Sequence, residues 1–166
     1  MPNPYSLIPM EDLSRYRPNV GVVLFHPDGR VWYGRRAATP GPHNWQFPQG
    51  GIDDDEDYEA AARRELFEET GVTSVDLLAK TEEWIAYAFP ADYGGTKQAR
   101  GFAGQKQKWF AFRFTGDESE IDLEAHGDIE FDAWRWGPLE DAPALVVPFK
   151  RAAYEQVVAL FAPLVV

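Results

Sequence analysis

From Gly50 to Val72 the chain reads GGIDDDEDYEAAARRELFEETGV. Residues Glu56 to Thr70 are rich in Ala, Glu, Leu and Arg and contain neither Pro nor Gly, a composition that favours a helix. Gly71 stands where a helix ends on a residue in the left-handed conformation. Tyr58, Ala61, Ala62 and Leu66 recur at helical spacing and are expected to face a core. The same period places Glu65, Glu68 and Glu69, at i, i+3 and i+4, on one face within about one turn. Carboxylates that close repel one another and hold protons more tightly unless cations neutralise them. Oxygen-rich clusters of this kind suit hard ions such as Mg²⁺ or Mn²⁺. The motif Glu-x-x-Glu-Glu also describes a solvated acidic face with Arg63 and Arg64 as local partners, so the residues around it must decide.

Outward from the helix, strands alternate with helices. Asn19–Phe25 is a compact apolar, β-branched run, Pro27-Asp28-Gly29 signals a turn, and Val31–Gly34 resumes, which reads as a hairpin. Ala37–Asn44 holds two prolines and a glycine and reads as loop. Trp45-Gln46-Phe47 alternates before Pro48-Gln49-Gly50-Gly51 ends it. Ser74–Tyr87 contains one or two strands, Pro90–Gly104 is a Gly-rich loop, and Lys108–Phe114 and Phe131–Trp136 are strands. Val146–Phe161 reads as a closing helix with Pro148 in its first turn. The pattern is α/β with a mixed sheet.

The 166 residues carry 16 Lys+Arg against 27 Asp+Glu, a net charge of −11. That length favours a single domain, and about 70% of its surface can be buried on folding. With 45% apolar and 14% aromatic residues, an ordinary core is available. The absence of cysteine excludes a disulfide scaffold, thiolate metal sites and a cysteine nucleophile. Strong acidity argues against coating nucleic acid or an anionic membrane by bulk charge, but not against a polyphosphate that arrives with metal ions. Residues Met1 to Met10 lack the basic and apolar regions of a secretory signal, and no run approaches 18 apolar residues, so a cytoplasmic protein with no membrane span is expected.

Other motif readings fail on spacing. Asp53, Asp55 and Asp57 begin like a calcium loop, but Tyr58 stands where Gly is needed and Arg64 where the bidentate Glu belongs. No Gly-Lys-Ser/Thr is present for a phosphate-binding loop. His26, His43 and His126 share no metal-ligand spacing and read as surface or turn residues.

What decides is the full spacing: Gly50, five residues, Glu56, seven residues, then Arg64-Glu65-Leu66-Phe67-Glu68-Glu69-Thr70-Gly71-Val72. Such a match arises by chance on the order of 10⁻⁸ per window. The chain resembles the Nudix hydrolases, with their signature box at 50–72. Further stretches are similar to one branch, the RNA pyrophosphohydrolases and asymmetric diadenosine tetraphosphate hydrolases: Tyr16–Gly21, Trp45–Gly51, Gly104–Phe110, Glu130–Trp136 and Phe149–Arg151. The similarity runs from about Arg15 to Tyr154. It implies one Nudix domain over 1–166 with a short N-terminal arm (1–14), an α/β/α sandwich with a mixed sheet and a catalytic loop–helix–loop. One departure is visible: many relatives have Gly just before the position of Glu56, where this chain has Asp54-Asp55.

The resemblance also implies a site. Glu65, Glu68, Glu69, Glu130 and the Gly50 carbonyl would hold divalent metal, with Mg²⁺ as the first expectation and Mn²⁺ or Zn²⁺ as alternatives. Water would attack in line within a polyphosphate, with Glu69 or Glu130 taking its proton. Arg64 would keep a glutamate in its ligating rotamer. Arg17, Arg36, Gln49, Tyr87, Lys106, Lys108, Phe149 and Lys150 would contact substrate, Arg36 and Phe149 by sandwiching a base. Core packing is the competing role for Phe149, as for Trp109 and Trp134. Lys106 and Lys108 alternate with Gln105 and Gln107, so each pair shares a strand face. The implied partners are 5′-triphosphorylated RNA, cut to a 5′-monophosphate, or diadenosine tetraphosphate, cut to ATP and AMP. A non-catalytic nucleotide-sensing domain would not need all four glutamates, nor would an acid-rich scaffold need the box.

Overall fold

Tyr16–Phe25 forms strand β1 at the middle of the computed structural model, which describes residues 10–91 and 101–165. Every residue from Asn19 to Phe25 is buried, so this strand needs neighbours on both edges and cover on both faces. One edge pairs in parallel with β7 (Gly104–Phe114), from Tyr16↔Gly104 to Phe25↔Arg113. The other edge takes the short strand β4 (Gln49–Gly51), antiparallel, with Asn19 opposite Gly51 and Gly21 opposite Gln49.

That second pairing alters the expected hairpin. Strand β2 (Val31–Arg36) meets β1 only at Phe25↔Val31 and then diverges to pair with β3 (Trp45–Gln46) and β8 (Phe131–Gly137). The edge of β1 that a longer hairpin would use is taken by β4 and by the hydrogen bond from the Val22 amide to the Pro48 carbonyl (2.9 Å). Strands β5 (Val75–Lys80) and β6 (Ile85–Ala88) both lie antiparallel to β7. The sheet is therefore mixed, in the order β3-β2-β1-β7-β5.

Helix α1 (Tyr58–Thr70) covers one face, with Ala61, Ala62 and Leu66 in the same core as Val20, Val22, Leu24 and Phe112. Asp57 caps it by accepting from the Ala60 amide, and Gly71 ends it at φ 79°. Tyr58, expected in the core, is 40% exposed; at the first turn its ring rests edge-on against Trp84 instead. Helices α2 (Ala142–Leu145) and α3 (Arg151–Phe161) cover the other face, where Tyr154 and Val157 join Val23, Trp109 and Ala111. This completes the α/β/α sandwich.

The single closing helix expected over 146–161 is broken. Pro148 disfavours helical geometry at Val147, which is extended (φ −53°, ψ 136°), and a 3₁₀ turn over Pro148–Lys150 precedes α3. The break matters for function, because it leaves Phe149 and Lys150 in a turn rather than on a helix face. Residues 1–9 of the N-terminal arm and 92–100 of the expected Gly-rich loop lie outside the described residues. Among the described residues no helix is long and apolar enough to cross a membrane.

The β1/β7 contact is close because Gly21 faces Trp109: a Cβ there would stand 2.6 Å from the buried indole ring. Gly21→Ala is expected to cost about 1–3 kcal/mol through overpacking, read as a lower denaturation midpoint at unchanged slope in urea unfolding.

Candidate active site

The loop that leaves β4 and the helix that follows are joined by one side chain. Arg64 on α1 donates from Nε to Glu56 Oε2 (2.8 Å) and from Nη2 to Glu56 Oε1 (2.9 Å), a two-point grip on the loop carboxylate. Nη2 also reaches the Gly51 carbonyl (3.0 Å), while Nη1 meets Glu65 Oε1 (2.9 Å) and Glu68 Oε2 (3.2 Å). Arg64 thus ties β4, the acidic loop and two carboxylates of α1 together. Its hydrogen bonds hold the Glu56 carboxyl at about 2, well below the usual carboxylate range. Asp55, immediately before Glu56, occupies the left-handed region (φ 61°), the conformation that a glycine adopts most readily.

The helix face turned toward β4 carries the other acids. Glu69 is buried at 7% exposure, and its Oε2 accepts from the Gln49 amide (3.2 Å). Burial, with Glu65 and Glu130 nearby, pushes its carboxyl well above the usual range, against the Gln49 amide and Lys150. Burial raises Glu65 to about 7, with Glu68 and Glu130 adding to the rise and Arg64 opposing it. Lys150, also buried, falls to about 7 through burial and the Arg36 charge, with Glu69 and Glu130 opposing. The centre is therefore short of positive charge.

These groups line one cleft of about 680 Å³. Its lining includes the acidic set Gly50, Glu65, Glu68, Glu69 and Glu130, the cations Arg17, Arg36 and Lys150, and the aromatic rings of Tyr87, Phe89 and Phe149. The aromatic rings touch: Tyr87 and Phe149 lie 5.8 Å apart, and Phe89 and Phe149 6.3 Å. Lys150 Nζ is 5.7 Å from the Tyr87 ring centre and 3.4 Å from Gln46 Oε1. The Glu130 loop is fastened beside Arg36 by the hydrogen bond from the Ala37 amide to the Glu130 carbonyl (2.9 Å).

Of the residues singled out from the sequence, Arg17, Arg36, Gln49, Gly50, Glu65, Glu68, Glu69, Tyr87, Glu130, Phe149 and Lys150 all line this cleft. Arg64 stands behind it, bracing the carboxylates. Lys106 and Lys108 do not line it. Strand alternation puts Gln105 on the cleft side of β7 and turns both lysines the other way, where they stack on Trp84 at 5.0 and 4.7 Å and Lys108 also meets the Glu82 carbonyl. The sequence reading missed Asn19, Gln46 and Gln105 on the cleft floor and His126 and Asp128 on its rim. His126 packs against Phe67 of α1 at 4.3 Å. Only the shared face of Gln105 and Gln107 could have signalled part of this set.

Among the described residues no three acidic or imidazole side chains are gathered to hold a metal ion as they stand; Arg64 draws Glu65 and Glu68 toward itself. The donor set still fits a hard divalent cation. It consists of carboxylate oxygens, with Glu69 buried and Glu65 partly so, beside a backbone that approaches closely. A Cβ at Gly50 would fall inside the Glu65 carboxyl, so only glycine leaves that space for the backbone and the acid together.

The chain belongs to the Nudix family: the NUDIX domain model matches residues 15–157. An RNA pyrophosphohydrolase of Caulobacter vibrioides (strain NA1000 / CB15N) is 67% identical over 151 residues, spanning 90% of this chain and 88% of its own. One from Rhizobium meliloti (strain 1021) is 49% identical over 164 residues, 93% of this chain and 98% of its own. Among solved structures, the E. coli dihydroneopterin triphosphate pyrophosphohydrolase aligns with a TM-score of 0.63 at 22% identity, over 87% of this chain and 98% of that one. A C. elegans Ap4A hydrolase binary complex aligns at 0.58 and 19%, over the same shares. These two likenesses speak for the fold.

The Glu56–Arg64 pair makes a prediction about acid stability. A carboxyl held near 2, against an ordinary 4.5, contributes stability that is present above the ordinary value and is lost as pH falls through about 2. Glu56→Gln should therefore melt below the wild type at pH 7, with the gap closing as thermal scans are carried down from pH 5 to pH 2.

Proposed function

We propose that this chain removes pyrophosphate from the 5′-triphosphate end of RNA and leaves a 5′-monophosphate. The observation that carries this reading is one cleft lined by carboxylates, cations and aromatic rings together, in a chain 67% identical to an RNA pyrophosphohydrolase. A polyphosphate with its metal ions, joined to a nucleoside, asks for those same three kinds of group. We read the chain as a single catalytic domain, acting in the cytoplasm at the start of messenger RNA decay.

The Gly50 carbonyl, Glu65, Glu68, Glu69 and Glu130 would hold divalent cations, Mg²⁺ first and Mn²⁺ or Zn²⁺ as alternatives. Such ions neutralise phosphate oxygens and make phosphorus more open to attack. Water attacks in line, the phosphoric anhydride bond breaks, and pyrophosphate leaves with the bond's electron pair. Glu69 is our first assignment for taking the water's proton, because its carboxylate lines the cleft while sheltered from bulk water, with its Oε2 fixed by the Gln49 amide. Glu130, opposite it on a fastened loop, is the second. Arg17 and Lys150 meet phosphate oxygens, and Phe149 and Arg36 hold a base between them. Gln49 and Tyr87 complete the substrate wall. Lys106 and Lys108, turned to the other face, are left out of this assignment.

Diadenosine tetraphosphate presents the same 5′-nucleoside polyphosphate, so both substrates belong in one test. With Mg²⁺ present, pyrophosphate release from triphosphorylated RNA should proceed at a higher kcat/KM than ATP and AMP formation from diadenosine tetraphosphate. The reverse order would assign the enzyme to the dinucleotide. Glu69→Gln should lower kcat about 10²–10⁴-fold, and chelation should abolish turnover. Full activity in the variant, or activity in excess chelator, would overturn the mechanism.

A further inference from the structure

Behind the cleft floor lies a group of side-chain amides that the proposed reaction does not use directly. Gln107, on β7, is 0% exposed and does not line the cleft. Its amide is nevertheless engaged at both ends. Nε2 donates to Asn19 Oδ1 (2.8 Å) and to Gln49 Oε1 (3.2 Å), and Oε1 accepts from Trp109 Nε1 (3.2 Å).

These contacts follow from register. Asn19 and Gln107 are opposite one another in the parallel β1/β7 ladder, so their side chains stand side by side. Trp109, two residues further along β7, shares the same face. On this face Gln107 stands between the polar Gln105 and the apolar Trp109 and Ala111, where the amides give way to the core. A buried amide is tolerated because each polar atom has a partner, and those partners then have only one place to go.

One of them is Gln49. Its Oε1 is held by Gln107, its Nε2 donates to Gln105 Oε1 (3.4 Å), and Gln105 Oε1 also accepts from the Tyr87 hydroxyl. The backbone amide of the same residue donates to Glu69 (3.2 Å), and the next residue, Gly50, lies against the Glu65 carboxyl. All three residues of β4 are partly exposed, and the strand is paired through β1 over three positions. Besides that pairing, the Arg64 contact with the Gly51 carbonyl and the Gln49 amide on Glu69, the Gln49 side chain is the tie that fixes the strand from within the sheet.

We propose that Gln107 is a positioning residue: by gripping the Gln49 side chain from within the sheet, it sets β4 so that the Gln49 amide meets Glu69 and Gly50 stays against Glu65. The inference rests on the proposed function, in which those carboxylates serve the reaction. Gln107 touches no substrate and acts only through Gln49.

Gln107→Met keeps the length and apolar bulk but removes the grip. Mn²⁺ binding followed by EPR titration, with kcat and KM on triphosphorylated RNA, separates positioning from packing. We expect Mn²⁺ affinity and kcat each to fall about 10–100-fold, with any rise in KM, through the Gln49 side chain on the substrate wall, smaller than the loss in kcat. Gln107→Asn, which keeps an amide beside Asn19 but is one methylene short of Gln49, should shift both in the same direction and serves if the Met variant does not fold. Val157→Ala, in the core beneath α3, should lower the melting temperature and leave Mn²⁺ affinity alone. Variants at 107 that bind Mn²⁺ and turn over as the wild type does, or that lose no more than Val157→Ala, would overturn the proposal while the catalytic reading stands. A wild type that binds no Mn²⁺ would overturn both.

Discussion

The Arg64 guanidinium holds Glu56 with two hydrogen bonds, the Gly51 carbonyl with a third, and Glu65 and Glu68 with its remaining nitrogen. Without that grip the acidic loop 53–57 would repel the acidic helix face that follows it. With it, the loop, the strand that delivers Gly50 and the helix that delivers the carboxylates act as one unit. The arginine works because its planar fork can serve several acceptors at fixed angles while staying charged at every relevant pH. It also leaves Glu69 out of its reach. That carboxylate is instead closed in against β4, where burial pushes it well above the usual carboxylate range.

The rest of the fold supplies what α1 cannot. Parallel pairing of β1 with β7 brings Asn19 beside Gln107, and the antiparallel pairing of β4 on the other edge of β1 brings Gln49 within reach of both. Pro148 breaks the closing helix, and the resulting turn points Phe149 and Lys150 at the cleft. Bulk acidity, a net −11 over the chain, is therefore no obstacle to handling phosphates. Glu65, Glu68, Glu69 and Glu130 line the cleft itself, and cations brought with a polyphosphate would reverse the local field there. The remaining surface charge disfavours indiscriminate contact with the body of a nucleic acid.

Legibility in the sequence was uneven, for identifiable reasons. Helix α1 was readable because periodicity, the cap at Gly71 and the absence of breakers all agree within one short segment. Most strands were placed correctly, but Gln49–Gly51 was read as the end of the preceding strand rather than as a strand of its own, and the hairpin was overextended, since nothing local to 19–34 announces that Pro48–Gly51 will take the edge of β1. Tyr58 matched the helical period yet fell beyond the covered part of the sheet, and its ring found Trp84 instead. Lys106 and Lys108 were singled out as positive charges among acids, but charge carries no information about which face of β7 turns to the cleft.

Amino-acid order alone determined which residues share a helix face, which segments extend and where the chain turns, because each of those depends on residues a few positions apart. It thereby determined the acidic constellation of Glu65, Glu68 and Glu69 and the family to which the chain belongs. Tertiary structure decided the rest: that Glu69 is buried while Glu68 is not, that Arg64 faces Glu56 across the loop, and that Gln107 grips Gln49 from another strand. These depend on register between segments far apart in the chain and on what each carboxylate has for cover. Dielectric surroundings and hydrogen-bond partners of that kind come into being only when the layers close.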